Sequence, residues 1–185
     1  PSDGGWTHHI VKDYSGNGIE DLFVADIDDD GDLDIISADG SGDKILYHIN
    51  DGTPGNGAWT TNTVISGSDA DGAMSVHVAD IDSDGDLDIV AALFMTSHVV
   101  WIENDGSPNN GGWTSHDVVS SSSSKESYDV TVADIDGDGD LDILEADQSN
   151  KIYWYENDGT PDDGTWSMTK IKGGLTDAHV VATAD

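Results

Sequence analysis

The sequence predicts an all-β fold of the β-propeller type, and three observations lead to this prediction. An aspartate-rich segment recurs at constant spacing, a tryptophan recurs with nearly the same period, and short runs rich in β-branched and aromatic residues lie between them. No run keeps a helical period. Four antiparallel strands per repeat are typical of a propeller blade, and a stacked β-solenoid is the alternative.

The repeat is 53 to 54 residues long. Its acidic segments begin 54 residues apart, at Asp26, Asp80 and Asp134. Its tryptophans follow in steps of 53, 54 and 53, at Trp6, Trp59, Trp113 and Trp166. An Asn-Asp-Gly turn signal recurs as well, ending at Gly52, Gly106 and Gly159. Each repeat therefore contains four short strands separated by turns.

We predict three complete blades with partial blades at both ends. The predicted parts are the last strand of a preceding blade at 1–20, three blades at 21–66, 72–120 and 127–173, and the first strand of a further blade at 176–185. A closed propeller has about four to eight blades. We therefore expect a fragment, a self-associating unit or part of a longer chain, because unpaired strands would otherwise stay exposed.

Charge restricts the classes of partner. The chain has 38 acidic and 6 basic residues, a formal net charge of −32, and no cysteine. Nucleic acid is excluded as a partner because its recognition requires clustered lysine and arginine. No apolar run is long enough to insert into a membrane, and disulfides and zinc-thiolate sites are excluded. Cations are the expected partners, since the charge opposes a compact state.

The acidic segments follow the pattern D-x-D-x-D-G-x-x-D, whose residues we number 1 to 9. Carboxylates at positions 1, 3 and 5 of a tight loop converge on a hard cation, glycine at 6 permits the bend, and position 7 offers its carbonyl. An aspartate at 9 closes the loop. Crowded carboxylates favour Ca²⁺ over Mg²⁺, which retains its waters. The predicted metal residues are Asp26, Asp28, Asp30, Asp32, Asp34, Asp80, Asp82, Asp84, Asp86, Asp88, Asp134, Asp136, Asp138, Asp140 and Asp142.

The acidic loops have two other interpretations. Aspartates can simply solvate a turn, but a solvated turn needs no fixed spacing with glycine in place. Paired carboxylates can catalyse glycoside hydrolysis, but identical clusters in each blade indicate a structural role. No nucleophile triad or phosphate loop is present. We predict no catalytic residues, no organic cofactor and no enzymatic activity.

The recurring aromatic residues and the histidines are interpreted as structural. Tyr47, Trp101 and Trp154 occupy one equivalent position, which we interpret as packing between blades, with a sugar-stacking platform as the alternative. The seven histidines mostly do not recur in register. We interpret them, His8 and His116 included, as surface or strand positions and not as ligands of transition metals.

The segments "ADIDDDGDLDI", "ADIDSDGDLDI" and "ADIDGDGDLDI", with "VVWIENDG" and "IYWYENDG", resemble the FG-GAP/VCBS family of repeats. The resemblance covers essentially the whole chain. It implies propeller blades like those of the integrin α-subunit head, with calcium in the loop between strands. It also implies that aspartates at positions 1, 3, 5 and 9 donate side chains, that Asp32, Asp86 and Asp140 donate carbonyls, and that the protein is secreted or at the cell surface.

The sequence thus predicts an extracellular calcium-binding repeat module with a structural or adhesive role. About one ion per complete blade, at least three in all, would staple the first strand of each blade to the second, so that folding depends on calcium. Two alternatives remain: a carbohydrate-binding propeller attached to a polysaccharide-active enzyme, and a self-assembling filament or surface-layer subunit. A glycan or a surface protein is the expected macromolecular partner.

Overall fold

The computed structural model describes residues 7–13, 18–57, 59–119, 126–175 and 179–183, and these form three separate four-stranded sheets. Every neighbouring pair of strands is antiparallel. The strands are β1 Ile19–Ala25, β2 Asp34–Asp39, β3 Lys44–Ile49, β4 Thr60–Ser66, β5 Ala73–Ala79, β6 Asp88–Leu93, β7 His98–Asn104, β8 Trp113–Val119, β9 Ser127–Ala133, β10 Asp142–Asp147, β11 Lys151–Glu156 and β12 Ser167–Lys172. The predicted all-β fold of four-stranded antiparallel units is confirmed.

Each sheet is one blade: blade 1 is β1–β4, blade 2 is β5–β8 and blade 3 is β9–β12, with strands in sequence order. The described helical residues form only short 3-10 turns, none long or apolar enough to span a membrane. These turns are Pro54–Asn56, Gly67–Asp69, Pro108–Asn110 and Pro161–Asp163. Trp59 and Trp113 donate from Nε1 to the carbonyls of Pro54 and Pro108, at 3.3 and 3.2 Å, which fixes the proline and the tryptophan relative to each other in these two repeats.

The hydrophobic core lies in the two seams between neighbouring blades. Tyr47 of blade 1 packs in one cluster with Ile89 and Ile102 of blade 2, and Trp101 of blade 2 packs in another with Ile143 of blade 3. All five side chains are fully buried. Burial of each isoleucine contributes about 1.5–3 kcal/mol, so the blades stabilise one another. Tyr47 and Trp101 are therefore packing residues, and a sugar platform at these two positions is wrong.

Side chains also connect the first strands of the blades. Asp21 Oδ2 accepts hydrogen bonds from Ser75 Oγ at 3.1 Å and from the backbone N–H of Val76 at 3.0 Å. Ser75 Oγ lies 2.7 Å from Asp129 Oδ1, and Asp129 Oδ2 accepts from the N–H of Val181 at 2.7 Å. Asp21, Ser75 and Asp129 are 54 residues apart, so one repeat position links β1, β5 and β9.

The partial blades predicted at 1–20 and 176–185 fall partly on residues outside the described ones, namely 1–6, 14–17, 176–178, 184 and 185. The described residues 7–13 and 179–183 form no strand. Residues 179–183 lie beside β9, where the rings of His179 and Tyr128 stack with centroids 4.4 Å apart. In each of the three blades the first strand pairs with the second strand of the same blade. The described residues contain no second strand that could pair with residues 179–183.

Candidate metal centres

Each acidic loop joins the first strand of a blade to the second and turns at its glycine. The φ angles are +94°, +102° and +105° at Gly31, Gly85 and Gly139. This left-handed backbone favours glycine because a Cβ would be strained there. The glycine N–H donates to Oδ2 of the position 1 aspartate at 3.0, 3.2 and 3.2 Å, respectively. The loop is therefore closed by its own first carboxylate.

Three aspartates converge in each loop. One carboxylate oxygen from each lies within 4.8 Å of the other two. The groups are Asp26, Asp28 and Asp30 in blade 1, Asp80, Asp82 and Asp88 in blade 2, and Asp134, Asp136 and Asp142 in blade 3. Positions 1 and 3 meet in every loop, whereas the third member comes from position 5 in blade 1 and from position 9 in blades 2 and 3.

Two of the converging aspartates have a buried carboxylate oxygen without a partner among the described residues. Asp28 Oδ1 and Asp80 Oδ1 have no hydrogen-bond partner among the described residues. A buried carboxylate oxygen left unpaired costs free energy, so such atoms require an explanation. Oxygen-only donor sets of this kind suit a hard cation such as Ca²⁺. The residues present therefore fit a calcium ion, and both unpaired atoms belong to aspartates of the converging groups.

The position 9 aspartates are fully buried and hold the loop together. The carboxylates of Asp34, Asp88 and Asp142 accept the N–H of the position 2 isoleucine at 3.4, 3.0 and 3.0 Å. Each also accepts the N–H of the asparagine in the Asn-Asp-Gly turn, at 2.8, 2.9 and 2.9 Å. In blade 1, Tyr47 donates its hydroxyl to Asp34 Oδ2 at 2.7 Å. Blades 2 and 3 have Trp101 and Trp154 at the position of Tyr47, so this hydroxyl bond occurs in blade 1 and not in the other two.

The position 7 side chain lies against the Asn-Asp-Gly turn and does not belong to the converging group. The outer oxygen of Asp32, Asp86 and Asp140 lies only 2.7, 2.8 and 2.8 Å from where a Cβ would stand on the glycine of the Asn-Asp-Gly turn. The position 7 N–H donates to Oδ1 of position 5 at 2.9, 2.8 and 3.0 Å. A metal-ligating role for the position 7 carbonyl stays a prediction.

Sequence reasoning missed the structural role of the turn asparagine. The side-chain Nδ2 of this asparagine donates to the carbonyl of the position 8 leucine in each blade. The distances are 3.1, 3.2 and 3.2 Å for Asn50, Asn104 and Asn157. The sequence contains a signal for this role, because the asparagine follows the position 9 aspartate by 16, 16 and 15 residues. The turn after the third strand is thereby bonded to the acidic loop.

Crowding affects the acidity of these carboxylates. Burial raises the pKa of Asp88 to about 7. Burial also raises the pKa of Asp82, and the negative charges of Asp84, Asp80 and Asp162 contribute to the same direction. Asp162 belongs to blade 3, so the loop of blade 2 senses charge from the next blade. Without a cation, like charges therefore oppose the compact loop.

The acidic loops are shared with a known family of repeats. The model of the FG-GAP-like repeat matches residues 26–91 and 92–145, which together contain all three acidic loops. The chain belongs to the FG-GAP-like repeat family. A search of curated proteins found no match.

A solved structure supports the propeller architecture of this FG-GAP-like repeat protein. It is an Agrocybe aegerita lectin, described as recognising non-reducing terminal N-acetylglucosamine. The TM-score is 0.50 at 23% identity, with 83% of this chain and 38% of the lectin chain covered. The similarity shows the shared fold, and the chain spans 38% of the length of that protein.

Proposed function

We propose that this FG-GAP-like repeat protein is an extracellular calcium-binding module with a structural or adhesive role. The observation that carries the proposal is the convergence of three aspartate oxygens in each of three equivalent loops. In two loops one of these aspartates has a buried oxygen with no partner among the described residues. A simply solvated turn gives no reason for an unpaired carboxylate oxygen to be buried.

The chain's own residues define what calcium would do. Positions 1 and 3 would hold the ion in every loop, joined by Asp30 in blade 1, Asp88 in blade 2 and Asp142 in blade 3. The ion would supply positive charge among these carboxylates. Asp88 and Asp142 already tie the loop to the third strand of their blades through backbone N–H groups. Ligation there would connect the first, second and third strands of a blade.

This arrangement supports calcium-dependent folding. The loops contain 16 of the 38 acidic residues. A ligand that binds only the folded state stabilises it by about 2.7 kcal/mol per site at a hundredfold excess over its dissociation constant. Three such sites exceed half of the stability of an ordinary domain, about 5–15 kcal/mol. The protein would therefore be loosely folded at low calcium and rigid where calcium is plentiful, as it is outside cells.

The test compares the protein in chelator, in CaCl₂ and in NaCl of equal ionic strength, by thermal unfolding and sedimentation velocity. Calcium should raise the unfolding midpoint and compact the chain, whereas NaCl should do so much less, because screening alone forms no ligand bonds. Equal effects of both salts would refute specific binding. Sedimentation at several concentrations also separates a monomer from a closed oligomer and from an open fibre.

Carbohydrate binding is the second candidate, supported by the lectin fold and by one aromatic group. An open groove of about 310 Å³ is lined by Tyr128, His179, Asp129 and Glu20, and the Tyr128 and His179 rings stack. Aromatic faces beside carboxylates suit sugars, which present C–H faces and hydroxyls. Glycan-array binding that is lost in Tyr128→Ala but kept in Trp154→Ala would support this candidate. The absence of binding to any glycan would oppose it.

A further inference from the structure

A cluster outside the acidic loops lies at the seam between blades 2 and 3. Glu103 on β7 and His116 on β8 belong to blade 2, and Asp162 belongs to the 3-10 turn of blade 3. One ligand atom from each of the three lies within 4.8 Å of the others. His116 Nε2 is 2.8 Å from Glu103 Oε2. Two blades thus contribute two carboxylates and one imidazole to a single point.

The imidazole is held by packing. Its ring stacks on Trp101 with centroids 4.4 Å apart and planes 21° from parallel. Trp101 is 0% exposed, so the surface beneath the ring is part of the core. His116 and Glu103 are partly buried, whereas Asp162 is exposed on its turn. Two members are therefore fixed by the strands of blade 2, and the third can adjust.

The equivalent seam between blades 1 and 2 is an internal comparison. Glu103, His116 and Asp162 correspond in the repeat to Ile49, Asn62 and Asn109. Asn62 Nδ2 lies 3.5 Å from the carbonyl oxygen of Asn109, so these positions also meet there. The fold brings the same positions together at both seams. Only the seam between blades 2 and 3 equips them with metal-ligating side chains.

We propose that Glu103, His116 and Asp162 form a second kind of metal site, which takes a borderline divalent cation such as Zn²⁺ and clips blade 2 to blade 3. Calcium takes oxygen ligands, whereas imidazole nitrogen and carboxylate oxygen bind zinc at about 2.0–2.2 Å. Such ligands lie roughly 3.4 Å apart around a tetrahedral ion, so the 2.8 Å contact between His116 and Glu103 has to open by about 0.6 Å and Asp162 has to move in to complete the site. Three protein ligands leave one position for water.

Charge supports occupation by a cation. Glu103 and Asp162 bring two carboxylates together beside His116. Among the described residues, no lysine forms an ion pair with either carboxylate. A protonated His116 would neutralise one charge, as in a simple ion pair, and a divalent ion would neutralise two. The experiment therefore has to separate these two states.

The test titrates Zn²⁺ into the protein in saturating CaCl₂, with isothermal calorimetry and NMR of the histidine side chains. We expect one zinc site that shifts the His116 signals and is lost in His116→Asn, which installs the residue of the equivalent blade 1 position. His98→Asn is the matched control, because His98 Nδ1 lies 3.7 Å from Asp117 Oδ1 and the part of the chain that the structure describes offers this pair no third ligand. This variant should keep the site.

Asp162→Asn tests the contribution of blade 3 and should weaken zinc binding at least tenfold while the His116–Glu103 pair remains. Unmoved His116 signals, or equal zinc binding by His116→Asn and the wild type, would overturn the proposal. If His116→Asn lowers stability equally with and without zinc, the cluster is only an ion pair. These readouts report on His116 itself, so they stand even if the acidic loops bind no calcium.

Discussion

Asn109 in blade 2 donates a hydrogen bond from Nδ2 to Oδ2 of Asp28 in the acidic loop of blade 1, at 2.7 Å. The two residues are 81 positions apart. The other oxygen of Asp28 is the buried atom that has no hydrogen-bond partner in the described part of the chain. The neighbouring blade therefore occupies one oxygen of the position 3 carboxylate and leaves the second oxygen available for a cation. This contact couples the blade 1 loop to blade 2.

The first prediction concerns this contact. Asn109→Ala should lower the calcium affinity of the blade 1 loop roughly fivefold, because a hydrogen bond to a charged group at an exposed site contributes about 1 kcal/mol. Calcium titration by calorimetry measures the change. Asn110→Ala, the adjacent exposed residue of the same turn, is the control and should bind like the wild type. Equal affinities of the two variants would show that the contact does not orient Asp28.

The second prediction is a change of sign at Asp28. In chelator, Asp28→Asn should raise the free energy of unfolding by about 0.5–1 kcal/mol, because it removes one of several crowded charges. In calcium the same variant should be less stable than the wild type, since the loss of one site removes up to about 2.7 kcal/mol at a hundredfold excess of ion. Urea unfolding under both conditions measures the two effects.

Asp29→Asn is the control for charge alone. Asp29 lies at position 4 with φ of +55°, outside the converging group, and asparagine tolerates that backbone. It should relieve repulsion in chelator without losing stability in calcium. If Asp29→Asn and Asp28→Asn behave alike in calcium, Asp28 is not a ligand.

The third prediction concerns the turn asparagine of blade 3. Asn157 Nδ2 donates to the carbonyl of Leu141 at 3.2 Å and to that of Ile81, in the loop of blade 2, at 3.3 Å. Among the described residues, the corresponding donor of Asn50 bonds only the carbonyl of Leu33. Asn157→Ala should therefore reduce the free energy of unfolding by about 1 kcal/mol more than Asn50→Ala, measured by urea unfolding in chelator. Equal losses would mean that the bond to Ile81 contributes nothing.

The fourth prediction is an acid-dependent loss of stability through His48. This residue is 4% exposed, Ser37 Oγ lies 2.8 Å from its Nε2, and burial together with the nearby charge of Lys12 lowers its pKa to about 4. The unfolded chain has a histidine pKa near 6.5, so it binds the proton first. The contribution of His48 is complete above about pH 6.5, falls as the pH drops towards 4, and amounts to roughly 3 kcal/mol.

His48→Gln should remove this part of the pH dependence. The difference in unfolding free energy between wild type and variant, measured in chelator from pH 7 to pH 4, isolates His48 from the many aspartates. If the difference in unfolding free energy between the wild type and His48→Gln stays the same from pH 7 to pH 4, the prediction is wrong. His98→Gln serves as the control, because His98 is only partly buried at the start of β7.

Much of the blade was predictable because its determinants are local. The strand β7 and the turn after it are encoded in "HVVWIENDG", and the loop glycine Gly85 is required by its own backbone angle. Converging aspartates at positions 1 and 3 follow from spacing alone. The third member of each group did not follow from spacing. Tyr47, on another strand, bonds Asp34 and so distinguishes blade 1 from the other two.

The sequence by itself determined the repeat, the four strands of each blade and the three acidic loops, since each of these depends on residues close together along the chain. Only the tertiary structure decided which residues meet across the seams. Asn109 reaches Asp28, and Asp162 reaches His116, because blades pack face to face and bring together residues that the chain separates widely. The spacing of residues within one repeat does not predict such contacts.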